Sequence, residues 1–268
     1  MLRVGYFQFR PLFGKVGRNL KHVVDALAGV QADIVVLPEL AFTGYYFADR
    51  DEALAVAEDP SASETVDALT GLCKQRDFYL VTGFAERRHE KVFNSALLIG
   101  PQGLVHVYRK LHLFNTEKQV FDVGDTPLTV QEVRGARLGL MVCFDWAFPE
   151  VARALALQGA DILCHPSNLV LHYGQQAMLT RCIENKVFAV TTNRCGVEKR
   201  PHGILKFTGR SQIAAPGGQL LSQAPGQRET LHVIEIDPDL ARSKAITAQN
   251  DIIKDRRPAF YGDLIVRN

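Results

Sequence analysis

The sequence predicts one α/β domain, residues 1–268, built in layers around mixed β-sheets. Three observations lead there. Runs of β-forming residues alternate with segments of helical apolar spacing along the whole chain. Several neighbouring strand runs are joined by turns too short for a helical crossover, so the sheets are not purely parallel. No compositional shift, low-complexity block or internal repeat marks a boundary.

Residues 2–9 are rich in β-formers and open the chain as a strand. Residues 17–30 follow with Leu20, Val23, Val24 and Leu27 at helical spacing, and 33–37 form a short continuous apolar run, as in a strand buried on both faces. A second helix is predicted from Ser61, with Glu64 three residues on as a capping box and Val66, Leu69 and Leu72 along one side. The middle third reads as a meander. Residues 78–85 and 92–99 flank a charged turn, and Pro101, Gln102 and Gly103 lead into 104–108. Residues 137–142 are an apolar strand, followed by a helix at 149–158 with Pro149 in its first turn. The strand 161–164, helix 175–186 and strand 187–192 repeat the rhythm. Two more strands flank the turn from Ala215 to Gly218, and 231–236 precedes a polar, proline-containing tail.

The chain has 268 residues, 47% hydrophobic and 22% charged, with a formal net charge of +2. That balance fits a soluble globular protein and offers no basic field to a nucleic-acid backbone. A small, neutral or weakly charged molecule is the expected partner. The stretch 162–180 lacks Asp, Glu, Lys and Arg, but Pro166, Asn168, Gly174, Gln175 and Gln176 interrupt it, so no membrane span is expected. The first residues lack the pattern of a secretion signal. Five cysteines without C-x-x-C spacing point to free thiols and a cytoplasmic location. The absence of H-E-x-x-H, G-x-G-x-x-G and P-loop patterns argues against a metal or nucleotide cofactor.

In α/β sheets, function collects beyond the carboxyl ends of strands. Glu39 follows a strand that Pro38 is expected to stop and turn outward. Lys110 follows 104–108, and Cys143 lies between the strand 137–142 and the helix at Pro149. Singly, each is commonplace: a strand-end cysteine usually packs as a small hydrophobe. Together they are chemically complementary. A free thiol with a pKa near ~8.5 is only about 3% thiolate at neutral pH, and a nearby ammonium raises that fraction. Alternatively, a carboxylate takes the thiol proton during attack and later passes it to a leaving amine. A lysine in such a pocket needs a carboxylate of its own to stay charged, and Glu117 would supply it, leaving Glu39 free as base. A Cys–His pair with His112 or His165 is the competing arrangement, which the residues alone do not exclude. Phe42, Tyr45, Tyr46, Phe47 and Trp146 either line a pocket or pack in the core.

At these positions the chain resembles the nitrilase, or carbon–nitrogen hydrolase, superfamily. Leu37-Pro38-Glu39-Leu40 with Thr43-Gly44-Tyr45 is similar to the family's glutamate motif. Tyr108 to Phe114, then Glu117, Phe121 and Gly124-Asp125, is similar to its lysine motif, and Cys143 to Glu150 to its cysteine motif. Arg181, Glu184-Asn185, Asn193, Gly209, Ser211, Ile213, Pro216 and Gly218 match further positions. The resemblance spans nearly the whole chain. It implies a four-layer α-β-β-α sandwich with two mixed β-sheets, associating through a helical face as a homodimer or larger even assembly, and chemistry without metal or cofactor.

It further implies Cys143 as nucleophile, Glu39 as general base, Lys110 as electrophilic stabiliser and Glu117 as an additional glutamate. The Phe144 backbone N–H would join Lys110 at the oxyanion, a donor of a kind whose loss typically costs ~3 kcal/mol. Tyr45, Phe144, Trp146 and Asn168 are the expected substrate contacts. Family nitrilases usually carry Cys-Trp-Glu at the nucleophile, whereas Cys143-Phe144-Asp145 is closer to amidases and carbamoylases. Branches acting on carboxylate-bearing substrates often place arginine three or four residues past the cysteine. Trp146 and Ala147 stand there and cannot clamp a carboxylate, so a small uncharged or weakly polar amide is expected. Similar motifs occur in relatives regarded as nitrilases, so small nitriles and N-carbamoyl compounds remain alternatives. Arg181 and Lys206 are candidates for a carboxylate site without an assigned place. A catalytically idle scaffold homologue is the reading outside enzymology, and the intact set of Glu39, Lys110, Glu117 and Cys143 argues against it.

Overall fold

The computed structural model describes residues 1–265; the last three residues of the predicted span lie outside the described residues. The chain runs through β1 (Leu2–Gln8), α1 (Val16–Leu27), β2 (Ile34–Val36), α2 (Arg50–Leu54), α3 (Glu64–Arg76), β3 (Tyr79–Arg88), β4 (Lys91–Gly100) and β5 (Gly103–Arg109). It continues through α4 (Glu117–Val120), β6 (Val130–Val133), β7 (Ala136–Leu140), a 3-10 turn at Cys143–Ala147, α5 (Pro149–Leu157), β8 (Ile162–Ser167) and α6 (Gly174–Asn185). The strands β9 (Phe188–Asn193), β10 (Val197–Arg200), β11 (Gly203–Lys206), β12 (Gln212–Ala214), β13 (Leu220–Gln223) and β14 (Thr230–Ile236) follow.

Two six-stranded mixed sheets form the centre, ordered β14-β1-β2-β3-β4-β5 and β13-β12-β9-β8-β7-β6. Parallel pairs (β1–β2–β3 and β7–β8–β9) sit inside each, and antiparallel strands extend them to the edges. Alternate strand residues face alternate layers. Val4, Tyr6, Val36, Val81 and Leu98 of the first sheet pack against Leu138, Leu140, Ile162, Phe188 and Val190 of the second. The opposite faces are covered by helices. Val23 and Leu27 of α1 with Val66, Leu69 and Leu72 of α3 cover Phe7, Val35 and Leu80, while Val151 and Leu155 of α5 with Met178 and Cys182 of α6 cover Leu163 and Ala189. This is the α-β-β-α sandwich. Burial on both faces explains the unbroken apolar run at 33–37, and each such side chain stabilises by roughly 1.5–3 kcal/mol.

Several boundaries differ from the sequence expectation. The helix expected from Ser61 is α3 and begins at Glu64. Ser63 Oγ accepts the Val66 N–H at 3.1 Å as the N-cap, and Glu64 then sits in the first turn, where it cannot reach back as the capping box requires. Ser61 instead bonds Asp59. The strand predicted at 161–164 runs on to Ser167 through Pro166. Its pairing with β7 stops at Cys164 while that with β9 continues to Asn193, so the proline lies where one neighbour has already left. The unpredicted β10 and β11 form a separate two-stranded sheet outside the sandwich. With no core beneath them, their charged residues carry no apolar alternation. Among the described residues, no helix is long and apolar enough to cross a membrane, and all five cysteines are free and buried.

Candidate active site

Segments following β2, β5, β7 and β8 meet where the two sheets face each other. After β2 the chain does not turn outward at Pro38; it stays beside β3, with Gly83 N–H donating to Pro38 O and Ala41 N–H to Gly83 O. This closeness requires glycine at 83, because a Cβ there would lie 2.3 Å from Glu39 Cα. Lys110 directly follows β5. Its backbone is tied to Asn94 O and to the Gly124 N–H, and a Cβ on Gly124 would lie 2.2 Å from Arg109 O. Cys143 follows β7 with φ of 42°, a left-handed conformation rare for a residue with a side chain.

The structure brings buried Glu39, Lys110 and Glu117 and half-buried Tyr45 into one bonded group with Cys143 alongside. Lys110 Nζ donates to Glu39 Oε1 at 2.7 Å and lies 2.8 Å from both oxygens of Glu117. Tyr45 donates its hydroxyl to Glu117 Oε1 at 2.6 Å, and the Phe114 N–H donates to Oε2 at 3.1 Å. Glu39 Oε1 also accepts from Asn94 Nδ2 at 2.7 Å, whereas Glu39 Oε2 is buried without a partner among the described residues. The expected division of labour therefore falls differently. Glu117 does not leave Glu39 free of the lysine; the division lies between the two oxygens of Glu39, one anchored and one open.

The charges follow from this geometry. Burial opposes the Lys110 ammonium, but the Glu117 and Glu39 carboxylates outweigh it and hold the group above the usual lysine range. Burial also raises the Glu117 carboxyl, with Lys110 opposing. Cys143 is 5% exposed. Burial and the neighbouring Glu39 push its thiol well above the ordinary value, against the pull of Lys110 and the Asn168 backbone N–H. Of the two activation routes open to the sequence, a resting thiolate is therefore disfavoured, and proton removal during attack fits the site.

His165 does not pair with the thiol. Its Nε2 lies 2.9 Å from the Cys143 carbonyl, which can only accept, so the ring donates there and takes the Thr191 hydroxyl, 3.1 Å away, at Nδ1. Burial pushes its pKa down to about 4. His112 is engaged elsewhere, 2.8 Å from Asp145 Oδ1 and stacked on Phe148.

A narrow slot of about 10 Å3, room for roughly one water-sized group, opens at Cys143 between Phe114, Phe144, Trp146, Asn168 and Leu169. Three of the expected substrate contacts thus line it: Phe144, Trp146 and Asn168. Asn168 Nδ2 donates to Glu39 O at 2.9 Å, and its Oδ1 is buried with no partner among the described residues. Tyr45 instead touches the charged group. Of its neighbours, Phe42 and Phe47 are core residues. Arg181 does not reach the slot; it donates to Trp146 O and pairs with Glu184.

Sequence reasoning missed three supports. Asn94 lies inside a regular strand, with no local signal that it would meet a glutamate 55 residues away. Asp145 accepts from Tyr108 Oη, Val142 N–H and His112, and so ties the cysteine turn to the lysine loop. Glu198, paired with the buried Arg194 at 2.6 Å, accepts the backbone N–H groups of Tyr45 and Tyr46. Only Asp145 was signalled, by its place two residues past the cysteine.

The carbon-nitrogen hydrolase family model matches residues 3–245. The chain is 41% identical over 264 residues to a nitrilase of Pyrococcus abyssi, covering 97% of this chain and 99% of that protein. It is 35% identical over 267 residues to an (R)-stereoselective amidase of a Pseudomonas species, covering 98% and 94%. The crystal structure of a carbon-nitrogen hydrolase from Helicobacter pylori superposes with a TM-score of 0.88 at 26% identity, over 99% and 98% of the two chains.

Proposed function

The chain belongs to the carbon–nitrogen hydrolase family of the nitrilase superfamily, and from that premise we propose that it is an amidase, releasing ammonia from small aliphatic amides through a thioester on Cys143. The observation that carries this reading is the asymmetry of Glu39: Oε1 is anchored by Lys110 and Asn94, while buried Oε2 is unpartnered in the cluster that holds a protonated thiol.

In this reading Glu39 Oε2 takes the Cys143 proton as Sγ attacks the carbonyl carbon. The tetrahedral oxyanion is met by Lys110 and the Phe144 N–H. Lys110 has three N–H donors and three carboxylate oxygens in reach, so it turns one donor to the oxyanion by releasing one oxygen of Glu117. Collapse expels the amine, which takes the proton from Glu39. Water, deprotonated by Glu39, then cleaves the thioester and frees the acid and the thiol. Glu117 and Tyr45 hold the lysine in place, and Phe144, Trp146 and Asn168 bound the acyl group. The slot at Cys143, with room for roughly one water-sized group, favours the smallest acyl groups.

The nitrilase name of the Pyrococcus abyssi relative favours a second reading, attack of the same thiol on a small nitrile. Ammonia release across short amides, N-carbamoyl compounds and small nitriles, with Cys143→Ala alongside, tests both. Fastest turnover of an amide, lost in the variant, supports the amidase; fastest turnover of a nitrile replaces it with the alternative. Free thiols fit a cytoplasmic enzyme, and the exposed Leu157 and Ile183 on the outer helices fit assembly into an even homo-oligomer.

A further inference from the structure

His165 takes no proton from the thiol, yet it bonds the nucleophile's own backbone. β8 outlasts its pairing with β7: the last pair is Leu140 with Cys164, and from there the chain of β7 runs on into the cysteine turn. His165 is the first residue beyond that pair. It stands in register with Thr191 of β9, so the two side chains leave the sheet on the same face. The fully buried ring reaches from Thr191 Oγ1, 3.1 Å from Nδ1, to the Cys143 carbonyl oxygen, 2.9 Å from Nε2. A carbonyl only accepts, so Nε2 carries the proton. Ser167 Oγ lies 3.1 Å from the same nitrogen and gives its own proton to the His165 carbonyl at 3.2 Å, so the ring keeps its donor role.

The peptide that joins Cys143 to Phe144 is trans, so its C=O and N–H point in opposite directions from one plane. Holding the oxygen therefore aims the hydrogen. The Phe144 N–H finds no acceptor among the described residues, and Phe144 lines the slot at Cys143. We propose that His165 is a positioning residue for the oxyanion: by fixing the Cys143 carbonyl, it sets the peptide plane that directs the Phe144 N–H at the reacting carbonyl oxygen. The proposal rests on the amidase reading, in which this N–H and Lys110 meet the tetrahedral oxyanion.

This plane needs holding. Cys143 has a φ of 42°, and a side-chain-bearing residue stays left-handed only where its surroundings over-determine it. The turn it opens is a 3-10 helix, whose i→i+3 bonds have poorer geometry than those of an α-helix. Asp145 Oδ2 secures the chain upstream by accepting the Val142 N–H at 2.8 Å. Downstream, His165 is the one side chain that bonds the Cys143–Phe144 peptide among the described residues.

The test sets His165→Leu against His165→Gln. A glutamine amide can place its NH2 near the position of Nε2 and keep donating to the carbonyl, whereas leucine cannot. His165→Leu should lower kcat on propanamide by about 10²-fold, the lower end of the cost of losing an oxyanion donor, while KM stays close to wild type. His165→Gln should recover most of that loss. Alkylation of Cys143 by iodoacetamide forms no oxyanion, so its rate should be unchanged in both variants. An undiminished kcat in His165→Leu, a loss shared by KM and alkylation, or a glutamine variant as slow as the leucine one overturns the positioning role and leaves the amidase reading standing. Should His165→Leu fail to fold, His165→Asn takes its place, since its shorter amide keeps a partner for Thr191 without reaching the Cys143 carbonyl. Crystal structures of the wild type and the donor-less variant supply a readout independent of turnover. A Cys143–Phe144 peptide turned away from its wild-type plane supports the proposal even if no amide is cleaved, in which case it is the amidase reading that fails. An unturned peptide overturns the proposal.

Discussion

Replacing Glu39 by glutamine should make Cys143 easier to ionise and still nearly abolish turnover. The amide oxygen can keep the Oε1 contacts with Lys110 and Asn94, so the loop should stay in place. The open Oε2 becomes an NH2 group, which cannot accept a proton. Loss of a positioned general base typically costs 10²–10⁴-fold, about 3–5 kcal/mol of barrier. Meanwhile a negative charge that helps push the Cys143 thiol up is gone, leaving the opposing pull of Lys110 less contested, so its pKa falls. Two assays separate these effects: steady-state ammonia release, and the pH profile of Cys143 alkylation by iodoacetamide. The expected pair is a collapsed kcat with an alkylation profile moved to lower pH. If Glu39→Gln keeps turnover within tenfold of wild type, or loses it with the alkylation profile moved to higher pH, the base assignment and the electrostatic reading of the site fail.

Lys110→Met should abolish turnover and destabilise the fold by about 3–5 kcal/mol, since it leaves two buried carboxylates facing each other. Because those groups then gain a proton as pH falls, urea midpoints should show a smaller loss at pH 5 than at pH 7.5. For His165, the folded pKa of about 4 lies below the unfolded value, so the unfolded chain binds the extra proton first. Its contribution, roughly 3 kcal/mol, is complete above about pH 6.5 and is lost as pH falls towards 4. Melting temperature against pH should therefore fall more steeply over that window in the wild type than in His165→Gln. Gly83→Ala should lower stability by about 2–3 kcal/mol or more and reduce turnover, because the new methyl meets Glu39 Cα at 2.3 Å; an unchanged urea midpoint and rate would show that the β2–β3 approach is not needed.

The parts legible in the sequence were those with a local cause. The sandwich strands announce themselves by continuous apolar runs because both faces are covered, as at Val35 and Val36. Cys143, Lys110 and Glu39 stand out because each interrupts or follows such a run, and a motif resemblance ties them together. The missed features depend on distant chain. Asn94 is one polar residue in a strand, and only the pairing of β4 with β3, which runs beside the segment after β2, brings it to Glu39. Strands β10 and β11 hold no core side, so periodicity could not find them; they matter because Glu198 grips the Tyr45 loop. The start of α3 was misplaced because two serines two residues apart both suit a cap, and only the Asp59 turn decides between them. The protonated state of Cys143 was equally out of reach, since it depends on burial and on two carboxylates at once.

The most direct test of the central claim is to catch the acyl-enzyme. Intact-mass spectrometry after rapid acid quench, with a short aliphatic amide in turnover, should show protein heavier by the acyl group, and peptide mapping should place it on Cys143. Cys143→Ala should show neither the adduct nor ammonia release. An adduct on another residue, or ammonia released at an undiminished rate by Cys143→Ala, would contradict the account.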